Sequence, residues 1–175
     1  MRVPLLALAL TGAMALTGCS KMASLNAFIT EDEATIDPAL IGVWQDKDGE
    51  DTYVVKQAGR AYSITGTDKS TTFKLEARLL ETGDVKILDI TAKDPAPCQI
   101  PVHLPLRLSL RGATLRIAFL DSDWLRQLAV QQLGAQNAEG RTVSGASGDA
   151  VRNFLVKYGG DSRAQGDEQL LFKAQ

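Results

Sequence analysis

The chain has 175 residues, 45% of them apolar and 23% charged, with a formal net charge of −2. That length and apolar content suit one domain with an ordinary hydrophobic core, and the slight acidity excludes the basic stripe that nucleic-acid binding demands. Two cysteines and a single histidine exclude a cysteine-rich scaffold and a histidine-cluster metal site.

The N-terminus reads as an export signal. Arg2 supplies a positive charge, and Val3 to Leu16 carry none, with Leu5, Leu6, Leu8, Leu10, Met14 and Leu16 making the stretch apolar. It is too short for a spanning helix, which needs about 20 apolar residues, and fits the core of a signal peptide. Leu16-Thr17-Gly18-Cys19 resembles the lipobox of bacterial lipoproteins. The resemblance implies cleavage between Gly18 and Cys19, a diacylglycerol on the Cys19 thiol and acylation of the new amino group. Residues 1–18 are then a disposable leader, and the membrane is a partner through lipid. One chain anchors marginally, whereas two or three hold firmly. Ser20 follows the lipid-bearing cysteine; by resemblance to enterobacterial sorting, where Asp at that position favours inner-membrane retention, it points to the outer membrane, facing the periplasm. With Cys19 so used, Cys98 has no intrachain partner for a disulfide.

Residues 19–37 are small, polar or acidic, with Glu31-Asp32-Glu33 in the middle, and read as the lipidated cysteine followed by a flexible tether. The folded domain is expected over 38–175. Leu40–Trp44 is the first strand, and Asp46-Lys47-Asp48-Gly49 a turn. Thr52–Gln57 and Arg60–Thr65 are strands joined by a hairpin at Ala58-Gly59. In Thr71–Leu80, Phe73, Leu75, Ala77 and Leu79 alternate with Lys74, Glu76 and Arg78. Thr82-Gly83-Asp84 turns into Val85–Thr91, and the proline-rich loop Lys93–Pro101 follows. Leu104, Leu106, Leu108 and Leu110 then face one way, and His103, Pro105, Arg107, Ser109 and Arg111 the other. Ala113–Phe119 continues the apolar face. A helix is expected after Asp121 as N-cap, with Trp124, Leu125 and Leu128 in its stripe. A second starts near Ser147, with Val151, Phe154, Leu155 and Tyr158 at i, i+3, i+4 and i+7. A brief strand is expected at Arg141–Val143, and Gln169–Lys173 returns to close the sheet.

Strands with one polar side imply an antiparallel sheet, and many short strands with tight turns a barrel or sandwich. Gly42-Val43-Trp44 on the first strand resembles the Gly-x-Trp signature of lipocalins and their small bacterial relatives. The resemblance implies an up-and-down β-barrel plugged by Trp44 at one end and open to a ligand at the other; a core tryptophan in an unrelated β-fold is the plain alternative. Two helices after the seventh strand depart from the single helix usual there. Val102-His103-Leu104-Pro105-Leu106, the strand after it and Leu120-Asp121-Ser122-Asp123-Trp124-Leu125 resemble a recurrent family of exported bacterial proteins of unassigned function, which implies a fold and no activity.

Chemistry-bearing residues are few. Cys98 lies five residues before His103, but a proline separates them and no oxyanion donor is identifiable, so a structural role is expected. Asp46/Asp48 and Asp121/Asp123 lack the Asp-x-Asp-x-Asp-Gly calcium pattern and read as a turn and as a cap with its dipole partner. No catalytic residue, metal site or cofactor is therefore assigned. His103, Arg107 and Arg111 share a strand face and form a cationic strip, which could hold an anionic head group were the polar face inside the barrel. The expected function is that of a lipid-anchored, lipocalin-like carrier for a small apolar or amphipathic ligand in the cell envelope. The alternative is a non-enzymatic envelope module that docks on a protein partner.

Overall fold

The structure, a computed structural model, describes residues 21–68, 71–95, 99–138 and 141–174. The chain opens on a short strand, β1 (Met22–Ser24), and then builds a barrel from β2 (Gly42–Gln45), β3 (Asp51–Ala58), β4 (Ala61–Asp68), β5 (Thr71–Thr82), β6 (Val85–Ala92), β7 (Leu104–Arg111) and β8 (Thr114–Phe119). Helix α1 (Asp123–Leu133), strands β9 (Gln136–Ala138) and β10 (Arg141–Ser144), and helix α2 (Gly148–Tyr158) follow. The last strand, β11 (Glu168–Lys173), pairs with both β8 and β2 and closes the barrel, all of whose ladders are antiparallel. The antiparallel barrel with two late helices, and its closure by the final apolar run, match the sequence expectation.

Alternation decides which side chains fill the barrel. Trp44, Tyr62, Ile64, Ala77, Leu79, Leu88, Leu106, Leu108, Leu115 and Leu171 form one buried cluster drawn from β2, β4, β5, β6, β7, β8 and β11. The leucine face of β7 therefore points inward, because a small barrel fills its interior with side chains. Gly59-Arg60, Gly83-Asp84 and Gly112-Ala113 turn three hairpins at one end, the glycines taking φ of 64°, 55° and 58° as two-residue turns require. That end is shut. A 3-10 helix at Pro38–Leu40 lies across it, and the Trp44 indole donates from Nε1 to the Leu40 carbonyl at 2.8 Å.

A second buried cluster lies outside the barrel. The outer side of β6, through Ile87, packs with Leu120, with Leu125 and Ala129 of α1, and with Val151, Phe154 and Leu155 of α2. Met22, Phe28, Ile29 and Ala34 belong to the same cluster. The expected tether is thus corrected: from Lys21 on, the segment is part of the folded unit. β1 pairs in parallel with β10, which pairs with β9, and Ser24 bridges to His103. Phe28 and Ile29 are 1% and 0% exposed, a burial that contributes about 1.5–3 kcal/mol for each side chain. The polar residues around them hid this, since two adjacent apolar residues show neither strand nor helix period. Gly148 permits the approach, as a Cβ there would stand 2.1 Å from the Ala27 carbonyl oxygen. Among the described residues no helix is long and apolar enough to cross a membrane.

Helix α2 is capped as expected, the Ser147 hydroxyl accepting from the Ala150 amide. Helix α1 corrects the sequence reading by one residue: Ser122 is the cap, accepting from the Leu125 amide at 3.2 Å. Asp121 instead turns toward Lys21, 3.3 Å away. Its burial pushes the carboxyl above the usual range, with the lysine working the other way.

Candidate functional site

The strip expected on β7 does not form one site. With the leucines inside, His103, Arg107 and Arg111 lie on the outer wall, which removes the condition on which a head-group site depended. Each goes its own way. His103 Nδ1 meets Asp89 Oδ1 at 2.7 Å, Arg107 donates from Nη1 to the Gly160 carbonyl at 3.0 Å, and Arg111 is exposed. Asp89 is 3% exposed, and its second oxygen accepts from the Phe28 and Ile29 amides at 2.9 and 3.3 Å. The pair therefore ties the N-terminal segment to β6 and β7. Cys19 and Cys98 lie outside the described residues.

The acidic pairs do not converge either. Asp46 makes its turn, accepting from the Gly49 amide on its carbonyl and from the Asp51 amide on its side chain. Asp123, in the first turn of α1, pairs with Arg126. No group of potential metal ligands occurs among the described residues. A surface depression of about 120 Å³ between Glu31, Arg60, Glu76 and Arg78 is polar and small beside the roughly 300–1,000 Å³ of typical ligand sites.

What distinguishes the molecule is the difference between the two ends of its barrel. At the shut end, Gly42 (φ 140°) lets β2 pass beside Lys173, where a Cβ would stand 3.0 Å from Cε. Lys173 lies over the Trp44 ring, 5.4 Å from its centroid, and donates to the Ala39 carbonyl. Tyr62 accepts from the Asp37 amide at 2.7 Å, and burial raises its phenol above the usual range. Asp37 caps the 3-10 helix and pairs with Lys86 at 2.6 Å. The lysine bond holds its carboxyl below the usual value, and the same contact, with Glu81, raises Lys86.

At the opposite end Lys21 lies over one of the aromatic rings. Tyr53, Phe119, Leu75, Ile90 and Ile117 pack against the interior cluster there, Phe73 and Leu104 face the same way by strand alternation, and every one is partly exposed. Tyr53 and Phe73 meet edge to face, centroids 6.3 Å apart, and a Cβ on Gly66 would strike the Phe73 ring at 2.2 Å. Gly66 thus makes room for that ring on the neighbouring strand. Gln169 donates to Asp51 on the same rim. Burial, with Asp51, Asp68 and Asp46 nearby, pushes the Tyr53 phenol up. Lys21 reaches over Phe119, its Nζ 3.6 Å from the ring centroid, and pairs with Asp121 and Asp167. This aromatic mouth was missed from sequence, where the deeper and outer residues of one strand face look alike. Gly66, inside an otherwise regular strand, was the one available signal.

Comparison of the chain with protein-family models, with curated proteins and with solved structures finds no match.

Proposed function

We propose that the protein is a lipocalin-like carrier, lipid-anchored through Cys19 at the outer membrane and facing the periplasm, that takes a small apolar or amphipathic ligand into the open end of its barrel. The observation that carries this reading is the group of partly exposed aromatic side chains, Tyr53, Phe73 and Phe119, at the end of the barrel opposite the Pro38–Leu40 turn. Partly exposed aliphatic residues occur at both ends, Ile36, Ile41 and Leu110 at the shut one, but the aromatic rings there, Trp44 and Tyr62, are 0% and 1% exposed, whereas those of the mouth remain partly open to solvent. Solvent-facing apolar side chains that converge inside a barrel favour an apolar guest, whose burial contributes roughly 25 cal/mol per Å² removed from water. Gln169 and the acidic residues of the rim suit a polar end left at the surface.

The test is native mass spectrometry with lipid extraction on protein purified from the envelope. A co-purifying small molecule is expected, released on denaturation and lost in Leu75→Trp, which fills the throat. A clean protein whose fluorescence ignores fatty acids and lysolipids refutes the carrier.

A second reading rests on the outer wall. Val43 on β2 and Leu170 and Phe172 on β11 are exposed to 38%, 43% and 39% on neighbouring strands, and such patches favour protein contacts. On this reading the protein is a non-enzymatic envelope module that docks a protein partner, and crosslinking in the envelope through these positions tests it.

A further inference from the structure

We infer that the mouth of the barrel is held against the bilayer, so that the carrier loads directly from the leaflet in which it is anchored. The inference rests on the reading of Cys19 as lipid-bearing and deepens the carrier proposal by naming the source of its ligand, a membrane amphiphile. Cys19 is two residues before Lys21, and two residues span at most about 7 Å. Lys21 is fixed at the rim of the open end by three contacts: the face of Phe119 at 3.6 Å, Asp121 at 3.3 Å and Asp167 at 3.4 Å. Its carbonyl also accepts from the Thr142 amide of β10. On the reading of Cys19 as lipid-bearing, its anchor can lie no more than about 7 Å of chain from the Lys21 backbone, on the side of the open end.

The shut end is far away. β6 runs eight residues from its Gly83-Asp84 turn to the mouth, about 26 Å at the usual strand rise. The loop after β6 leaves Ile100 75% exposed, an apolar side chain beyond the start of β7, whereas the turns at the shut end are Gly59-Arg60, Gly83-Asp84 and Gly112-Ala113. Charge does not hold this orientation. Asp46, Asp48, Glu50 and Asp51 lie at the mouth end, with Lys47 among them, and they repel an anionic surface, so zwitterionic lipid is the favoured source. An amphiphile can then pass from leaflet to throat without crossing bulk water, which is the step that limits transfer of apolar molecules.

The test uses the full-length lipidated protein with Cys98→Ser, in phosphatidylcholine vesicles that contain nitroxide-headgroup lipid. Intact mass first reports whether Cys19 carries diacylglycerol. A fluorophore is placed at the mouth (Ile100→Cys or Lys47→Cys) or at the shut end (Asp84→Cys). Quenching at either mouth position should exceed that at Asp84→Cys several-fold. A twenty-residue Gly-Ser insert between Ser20 and Lys21 should abolish the difference, leave vesicle attachment intact and slow the transfer of a fluorescent fatty acid from the vesicle. Equal quenching at both ends of a lipidated protein, or transfer unaffected by the insert, overturns the orientation while leaving the carrier intact. A mass without lipid on Cys19 overturns the anchor and the orientation with it.

Discussion

Replacing Asp89 by alanine tests how the N-terminal segment is fastened to the barrel. The carboxylate is 3% exposed and serves three donors or partners at once, the Phe28 and Ile29 amides and the His103 ring. Alanine leaves two buried amides and the partly buried imidazole without this partner, at about 1–3 kcal/mol for each amide left unsatisfied and less for the ring. Some relief through water reduces the sum, so a loss of about 3–5 kcal/mol is expected. With a urea slope of about 2 kcal/mol/M for a domain of this size, the midpoint should fall by roughly 2 M. Asp89→Asn preserves an acceptor for the amides and offers an N–H to the ring, so it should lose less than half as much. The assay is equilibrium urea unfolding of the chain from Ser20 onward, followed by tryptophan fluorescence, with limited proteolysis to locate the loosened part. Cleavage between Lys21 and Asp37 should appear first in Asp89→Ala. A midpoint within about 0.3 M of wild type, the resolution of such curves, would show that this carboxylate does not fasten the segment.

Trp44→Phe keeps most of the buried ring but removes the donor to the Leu40 carbonyl, and should cost about 1–3 kcal/mol in the same assay; Trp44→Ala, which empties the core, should cost about 3–5 kcal/mol. Asp37→Asn removes the partner of Lys86 at the shut end, at about 1 kcal/mol near neutral pH. Because the folded Asp37 carboxyl is held below its unfolded value, its contribution is full above about pH 4. It is lost as pH falls through the folded value, so wild type and variant should converge in unfolding curves taken in acid; a gap that persists there assigns the effect to another group. Gly66→Ala forces the Phe73 ring aside and should cost about 1–3 kcal/mol by overpacking. It should also alter fatty-acid binding measured by fluorescence titration, whereas Arg111→Ala on the outer wall should change neither.

The local pattern of the chain is enough to determine most of its elements. The alternation of leucines from Leu104 to Leu110, the Gly83 turn and the Ser147 cap depend only on near neighbours, and period two separates the faces of a strand regardless of what lies beyond. The likeness of Leu16–Cys19 to a lipobox also rests on the sequence alone. Tertiary structure decided what near neighbours cannot specify. Whether the leucine or the arginine face of β7 turns inward depends on how the sheet curls, and it left His103, Arg107 and Arg111 outside and apart. The burial of Phe28 and Ile29 depends on an outer wall of β6 more than fifty residues away in the chain, which offered Ile87 to cover and Asp89 to receive two amides. Asp121 pairs with Lys21, distant in sequence and close in space, while Ser122 caps the helix. The mouth itself is a property of closure. Phe73 and Leu79 occupy the same face of one strand, yet Leu79 lies fully buried in the interior cluster that includes Leu40, while Phe73 toward the other end is partly exposed.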